Sequence, residues 1–404
     1  MSKSVKYGRK RRSMMKKRKV YPSKKNNARK QRITKKRMGG GEKKNILLII
    51  DPQNDFTPAY PGWKGGSLEV PGAIEDYKNM IEMINFSSNR TMGGIIFNEI
   101  HVSLDTHTKQ HIGHPGFWKK WNEESNSWKD ADEDDGFTVL KVVNDNIMGS
   151  IDGENYNKMY TPRNENFDSY AKDYINYFYD TKKNRHALFP TIWKTHCLEK
   201  SDGHKIYTDL QTALNTHPNV HYHLKGQNEL TEMYSIFSAE NQEVPTNLQS
   251  YSGENNKCSD PIMSNKYETI IQCLNTNINT NIDLIKQIVA GNKSITKNIY
   301  ICGQARTHCV RSSIIDMIDN VGAGNVNNYH IKFIKNMSSP IPTFKNKTDE
   351  KGNVNKLYSD NIDAFIKRVG GQVYNWDSND NNLKEIQNIN INNYDGILPN
   401  NRLY

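Results

Sequence analysis

Apolar runs and amphipathic segments alternate along most of the chain. Residues 45–51, NILLIID, form a continuous apolar run that ends in an acid, which is typical of a strand buried on both faces. Similar runs follow in GGIIFNEIHVSLD, NVHYHLKG, NIYICG and YHIKFIKNMSS. The segments AIEDYKNMIEMIN, NIDLIKQIVAG and RSSIIDMIDNVG carry apolar residues at helical spacing. This alternation predicts an α/β fold with a mainly parallel sheet and helices on both faces, a three-layer α/β/α architecture.

Three polar stretches interrupt or end this pattern. Residues 119–189 contain the acidic cluster DADEDDG, and residues 241–280 are rich in Asn and Ser. Neither stretch has enough periodic apolar sequence for a core of its own, so both are interpreted as insertions in one globular domain of residues 45–374. Residues 375–404 are interpreted as an Asn-rich C-terminal extension.

The first 44 residues differ sharply in charge from the rest. They hold 20 of the 55 Lys and Arg residues and only one of the 44 acids, so their net charge is +19 and the remainder carries −8. With few apolar residues, the basic N-terminal tail is predicted to be disordered. Three interpretations stay open: nucleic-acid binding through phosphate neutralisation, a nuclear address, or a solvated extension. Its glycine end is similar to tails on proteins of large DNA viruses, which adds a viral particle as a location.

Membrane and disulfide signals are both weak. The apolar run ILLII is far shorter than the roughly 20 residues that span a bilayer, so no membrane partner is expected. An odd, sparse set of cysteines indicates free thiols in an intracellular, reducing compartment. The cysteines are Cys197, Cys258, Cys273, Cys302 and Cys309.

Chemically active residues follow the predicted strands. Asp51 ends the first strand, and Asp105 and His107 end the second at a spacing of two, which points both side chains to one side of an extended segment. Lys225 ends the strand in HLKG, and Cys309 follows the strand in NIYICG. Because parallel strands bring their carboxyl ends to one edge, these side chains are expected to meet there.

Five ordered motifs carry a resemblance to a known family: LLIIDPQNDF, SLDTHTKQHIGHPGFW, IWKTHCLEKSDGH, LKGQNELTEMYS and GQARTHCV, followed by MSSPIP. Over residues 45–370, the chain resembles the nicotinamidase and isochorismatase-like cysteine hydrolases, and more closely their long, insertion-bearing nicotinamidase-like members. The resemblance implies the isochorismatase-like hydrolase fold and amide hydrolysis through a covalent thioester, with a metal ion beside the nucleophile.

By position, the resemblance implies a catalytic triad of Asp51, Lys225 and Cys309. An ammonium favours the thiolate form of a nearby thiol, and a carboxylate can accept the thiol proton and pass it to departing ammonia. Backbone amides near Ala305 and Cys309 would form the oxyanion hole. The resemblance also implies a cis peptide bond before Ala305.

The metal ligands implied by the resemblance are Asp105, His107 and His196. Two imidazoles and one carboxylate suit one divalent ion, and zinc, iron and manganese all stay open. His111 is a further candidate, since the family uses this position either as a ligand or only near the ion. His114 is more typical of a structural histidine.

Phe56, Trp193 and Tyr234 match family positions that line the substrate pocket, although core packing is the alternative. The leading hypothesis is a nicotinamidase-type amidohydrolase that converts nicotinamide to nicotinate and ammonia through a Cys309 thioester. The alternatives are another small carboxamide or ureido substrate, or a nucleic-acid-associated protein that uses the hydrolase domain as a scaffold. The oligomeric state stays open.

Overall fold

The computed structural model describes residues 43–88, 95–180, 182–241, 284, 288, 295–321, 329–341, 362–368 and 370–390. The predicted tail therefore lies outside the described residues except for its last two, which begin the first strand. The second predicted insertion lies outside them except for residue 241, and so do Cys258, Cys273 and the end of the C-terminal extension. The predicted roles of these segments stay predictions.

A seven-stranded sheet forms the centre of the fold, in the order β13-β12-β11-β10-β1-β2-β9. All neighbouring strands are parallel except β13, which runs antiparallel to β12. This confirms the predicted α/β class with a mainly parallel sheet. The strands are β1 (Lys43–Ile50), β2 (Glu99–Asp105), β9 (Val220–Lys225), β10 (Thr296–Gly303), β11 (Tyr329–Ile334), β12 (Gln372–Asp377) and β13 (Asn382–Glu385).

The direction in which the chain crosses the sheet determines the face on which each helix lies. From β1 the chain moves outward through β2 to β9, and from β10 it moves outward in the opposite direction to β11 and β12. Because parallel crossovers are right-handed, helices of the first series lie on one face and those of the second on the other. The first series holds α1 (Ala73–Ser88) and α3 (Thr208–Asn215), and the second holds α4 (Arg311–Val321) and α5 (Ile362–Arg368).

The reversal occurs between β1 and β10, which are paired along their whole length. In open parallel sheets, ligands bind beyond the carboxyl ends of the strands at such a switch point. A ligand site is therefore expected at the residues that follow Ile50 and Gly303.

The first predicted insertion contains a second sheet, which the sequence did not predict. Its six strands are antiparallel, in the order β4-β3-β7-β6-β5-β8, and the helix α2 (Asp168–Tyr179) packs with them. Buried side chains such as Trp118 and Phe178 belong to the same hydrophobic cluster as the main sheet. The strands are β3 (Trp118–Asn122), β4 (Ser127–Asp130), β5 (Thr138–Val143), β6 (Asn146–Ser150), β7 (Lys158–Pro162) and β8 (Thr191–Ile192).

The C-terminal boundary predicted at residue 375 falls inside β12. Trp376 and Leu383 are buried on the β12–β13 hairpin, so this part of the Asn-rich segment packs on the sheet. Among the described residues, no helix combines the length and apolar character needed to cross a bilayer.

Candidate functional site

Two neighbouring strands end close together at the switch point. Gly303 ends β10 with φ +119°, and a Cβ atom there would lie 2.1 Å from the Ile50 carbonyl oxygen on β1. Only glycine permits both this conformation and this close approach. The next peptide bond, between Gln304 and Ala305, is cis, as the resemblance implied. A π-helical turn at Arg306–Val310 then carries Cys309 to the end of β1.

Asp51, Lys225 and Cys309 meet at this edge, and all three side chains are buried. The Lys225 ammonium nitrogen lies 2.9 Å from Asp51 Oδ2 and 3.7 Å from Cys309 Sγ. Asp51 Oδ1 accepts a hydrogen bond of 2.6 Å from the hydroxyl of Ser103 on β2, which fixes the carboxylate. The sequence analysis missed Ser103, since a serine inside a strand is unremarkable without its partner.

Burial dominates the electrostatics of the thiol. It raises the pKa of Cys309 well above the ordinary thiol value, and the Lys225 ammonium opposes this only in part. The Lys225 ammonium thus acts in the predicted direction, toward the thiolate, but burial has the larger effect on the thiol pKa. Burial also raises the pKa of Asp51, again against the effect of Lys225.

Asp105, His107 and His196 form a compact group next to the triad, with ligand atoms within 4.8 Å of one another. His107 Nδ1 lies 2.8 Å from the Gly226 carbonyl and His196 Nδ1 lies 2.8 Å from the Lys194 carbonyl. Since a carbonyl can only accept, both imidazoles carry a proton on Nδ1, which leaves Nε2 as the atom that faces Asp105. These Nε2 atoms lie 3.1 and 3.5 Å from Asp105 Oδ2.

This arrangement fits a cation. The Nε2 atoms of two imidazoles and an oxygen of Asp105 face one another, which is a donor set that a divalent ion prefers. Asp105 is buried between His107, His196 and Lys225, so its oxygens lie inside this group. A divalent ion would therefore stabilise the group.

His111 and His114 have their ring nitrogens occupied in a different way. His111 Nε2 lies 3.2 Å from the Thr231 carbonyl, and its Nδ1 accepts a backbone N–H at 3.1 Å. His114 Nδ1 lies 3.0 Å from the Thr108 carbonyl, and its Nε2 lies 3.2 Å from Nδ1 of His196. With His107 these two histidines form a second group whose ligand atoms lie within 4.8 Å of one another, so His111 stays a candidate ligand, and His114 also contacts His196.

Gly226 allows the chain to leave β9 beside this group. It has φ +72°, and a Cβ atom there would lie 2.6 Å from His107 Cε1 and 2.7 Å from Asp105 Oδ1. The following residues, 226–235, contain no helix or strand and are called the Lys225 loop. The loop carries Glu232, a buried carboxyl group 3.8 Å from His111 Nδ1 that the sequence analysis missed. Burial raises the pKa of Glu232 to about 7.

Aromatic rings line the same region. Trp193 Nε1 donates a 2.8 Å hydrogen bond to the Tyr234 hydroxyl, and the Phe56 ring centroid lies 5.8 Å from that of His196. The His308 ring, which the sequence analysis did not assign, lies 5.1 Å from Trp193 and nearly perpendicular to it. The three predicted pocket residues are all buried, and Phe56 lies beside the candidate ligand His196.

The three cysteines of the described part, Cys197, Cys302 and Cys309, are buried free thiols. Cys309 alone among them contacts Lys225. Cys302 lies inside β10, where its sulfur faces a β1 carbonyl at 4.0 Å.

Comparisons with known proteins give distant structural matches. The yeast nicotinamidase Pnc1p is 15% identical with a TM-score of 0.41, over 81% of this chain and 98% of that one. The Pyrococcus horikoshii pyrazinamidase, solved in complex with zinc, is 14% identical with a TM-score of 0.33, over 74% and 87%. The N-carbamoylsarcosine amidase of Thermoplasma acidophilum is 12% identical with a TM-score of 0.32, over 82% and 95%. No protein-family model and no curated protein matches the chain.

Proposed function

We propose that the chain is a metal-dependent cysteine amidohydrolase of nicotinamidase type, with nicotinamide as the first candidate substrate. The observation that carries the proposal is the buried group of Asp51, Lys225 and Cys309, in which one ammonium contacts both the carboxylate and the sulfur. Such a group combines a nucleophile with a general base, as acyl transfer through a thioester requires.

Cys309 is the proposed nucleophile and Asp51 the general base. As the sulfur forms a bond to the carboxamide carbon, the thiol proton passes to Asp51, and the amide oxygen takes the negative charge of the tetrahedral intermediate. The backbone N–H groups of Ala305 and Cys309 would donate hydrogen bonds to that oxygen. Asp51 then gives the proton to the departing nitrogen, the carbon–nitrogen bond breaks, and ammonia and a thioester remain.

The second half of the reaction uses the same groups. Asp51 accepts a proton from water as the water oxygen attacks the thioester carbon, and the carbon–sulfur bond breaks to release the acid. The Cys309 sulfur recovers its proton from Asp51. Lys225 stays charged throughout, because its contacts with Asp51 and Asp105 hold the pKa of the ammonium well above its ordinary value despite burial.

The proposed metal ligands are Asp105, His107 and His196. A divalent ion bound there would supply a Lewis acid that orients the substrate and attracts water next to the thioester. His114 would hold His196, and His111, which also contacts the Lys225 loop, is the further candidate ligand.

The proposed substrate pocket would favour a flat ring. Trp193, Tyr234 and Phe56 offer aromatic surfaces that can enclose a planar heterocycle and leave its carboxamide near the sulfur. A small aliphatic carboxamide or a ureido compound gains less from such surfaces, so these remain the second choice of substrate.

A substrate panel with matched cysteine variants tests the proposal. Ammonia release from nicotinamide, pyrazinamide and an N-carbamoyl amino acid is measured for metal-supplemented wild type, Cys309→Ala and Cys302→Ala. Wild type and Cys302→Ala are expected to release ammonia at similar rates and Cys309→Ala at least about a thousandfold more slowly. Equal rates for wild type and Cys309→Ala would reject the mechanism.

A further inference from the structure

The Lys225 loop is irregular but deeply buried. Its side chains Leu230 and Met233 are at most 3% exposed, although residues 226–235 form no helix or strand. Backbone N–H and C=O groups in such a segment lack ladder partners and need hydrogen bonds from elsewhere. The source of those hydrogen bonds decides where the loop lies.

The histidine motif supplies one set of partners. The Ile112 N–H donates a hydrogen bond of 2.7 Å to the Glu229 carbonyl, and His111 Nε2 lies 3.2 Å from the Thr231 carbonyl. These contacts fix the loop on the side of the proposed metal group.

Helix α2 of the insertion supplies a second set from the other direction. The Tyr170 hydroxyl donates a 2.6 Å hydrogen bond to the Leu230 carbonyl, and the Tyr174 hydroxyl accepts one of 3.1 Å from the Glu232 N–H. Both tyrosines are at most 3% exposed and lie one helical turn apart, so they present their hydroxyls along one face of the helix.

The loop in turn holds the catalytic ammonium. Lys225 Nζ donates a hydrogen bond of 3.0 Å to the carbonyl of Met233, the residue after Glu232. The other close oxygen partners of Nζ belong to Asp51, at 2.9 Å, and Asp105, at 3.0 Å. An ammonium has three donors, and the Met233 carbonyl is one of its three close oxygen partners beside the longer contact of 3.7 Å to Cys309 Sγ. A shift of this carbonyl would redirect the nitrogen relative to Asp51 and Cys309.

We propose that Tyr170 and Tyr174 are positioning residues, which fix the Lys225 loop and, through the Met233 carbonyl, the catalytic Lys225. The inference rests on the proposed amidohydrolase function. It assigns the insertion a role in catalysis, because α2 belongs to the insertion and not to the layers of the main sheet.

Two conservative variants test the role. In Tyr170→Phe and Tyr174→Phe, the ring packing stays and one loop hydrogen bond is lost. We expect kcat to fall by about tenfold to a hundredfold, as small misplacements of catalytic groups do, with KM changed less than about twofold. Hydrogen exchange of the peptide over residues 226–235 is expected to accelerate in both.

Tyr160→Phe is the matched control, since Tyr160 is another buried tyrosine of the insertion, bonded to Asp135 at 2.9 Å. It should lower the melting temperature as much as Tyr174→Phe does, without changing kcat or loop exchange. If Tyr174→Phe does not fold, Tyr170→Phe carries the test. The role is overturned if kcat and loop exchange of the test variants match those of wild type, or if Tyr160→Phe loses kcat equally. An inactive wild type rejects the proposed function, and loop exchange then decides the positioning role by itself.

Discussion

His186 is buried between two carboxylates, and their effect on its pKa predicts a specific pH dependence of stability. Its Nδ1 lies 2.8 Å from Glu240 Oε1 and its Nε2 lies 2.9 Å from Asp316 Oδ1. Arg185 pairs with the same Asp316 oxygen at 2.8 Å. Burial acts to lower the pKa of His186, but Glu240 and Asp316 outweigh it and raise the pKa to about 9.

The size of the effect follows from linkage. An unfolded histidine has a pKa of about 6.5, so the interval up to about 9 corresponds to roughly 3 kcal/mol, at about 1.4 kcal/mol per pH unit. Because the folded pKa is the higher one, the folded state binds the extra proton. The stabilisation is fully present below about pH 6.5 and is lost as pH rises through 9.

Urea unfolding between pH 6 and pH 10 measures the loss for wild type, His186→Gln and His330→Gln. His330 is exposed and serves as the control. Between pH 6.5 and 9, wild type and His330→Gln should each lose about 3 kcal/mol more free energy of unfolding than His186→Gln. Parallel curves for wild type and His186→Gln would refute the reasoning. If His186→Gln does not fold, NMR titration of His186 in wild type decides, and a midpoint at or below 6.5 refutes it equally.

Three further predictions concern the site and its supports. Burial raises the pKa of Asp76 to about 6, so its charged form destabilises the fold above that pH. Asp76→Asn keeps an acceptor for the 2.8 Å hydrogen bond from Gln304 and should raise the free energy of unfolding by up to about 3 kcal/mol at pH 8 but not at pH 4. Equal effects at both pH values would contradict this. Gly303→Ala should destabilise the fold by roughly 3 kcal/mol or more in thermal unfolding, because its Cβ would collide with the Ile50 carbonyl, and a wild-type melting temperature would contradict that. Dialysis against a chelator should abolish ammonia release, and added Zn²⁺, Fe²⁺ or Mn²⁺ should restore it in wild type but not in His196→Ala. Full activity of a protein that elemental analysis shows to be metal-free would exclude the metal role.

The main sheet was predictable because its central strands are buried on both faces. Residues 46–50 are fully buried, and a strand in that position must be apolar at every residue, which is the pattern that the sequence displays. The insertion sheet could not be predicted in this way. β4 (Ser127–Asp130) is exposed throughout and β8 (Thr191–Ile192) has two residues, so neither has an alternation of apolar and polar positions that is long enough to recognise.

The residues of the candidate site also differ in whether a local sequence pattern could predict them. Asp51 and Lys225 come at strand ends, and parallel pairing converts that local property into proximity. Ser103 and Glu232 have no comparable local signal, since their roles depend on contacts with Asp51 and His111 that lie far away in the sequence. Residues that act through tertiary contacts alone are therefore found only from coordinates.

The insertion shows most clearly why the sequence interpretation was incomplete. A polar and aromatic segment without its own apolar period is easily interpreted as an appendage, yet its Tyr170, Tyr174 and His186 are buried and contact elements of the main domain. Tyr174 contacts the loop after Lys225, and His186 pairs with Asp316 on the helix that follows Cys309. Polar atoms in such positions are stabilised only when their partners are correctly placed, so burying them ties the insertion geometry to that of the site. The aromatic and charged composition of the insertion is thus the reason why its sheet could not be predicted from hydrophobic periodicity. The same aromatic and charged side chains connect the insertion to the proposed catalytic groups.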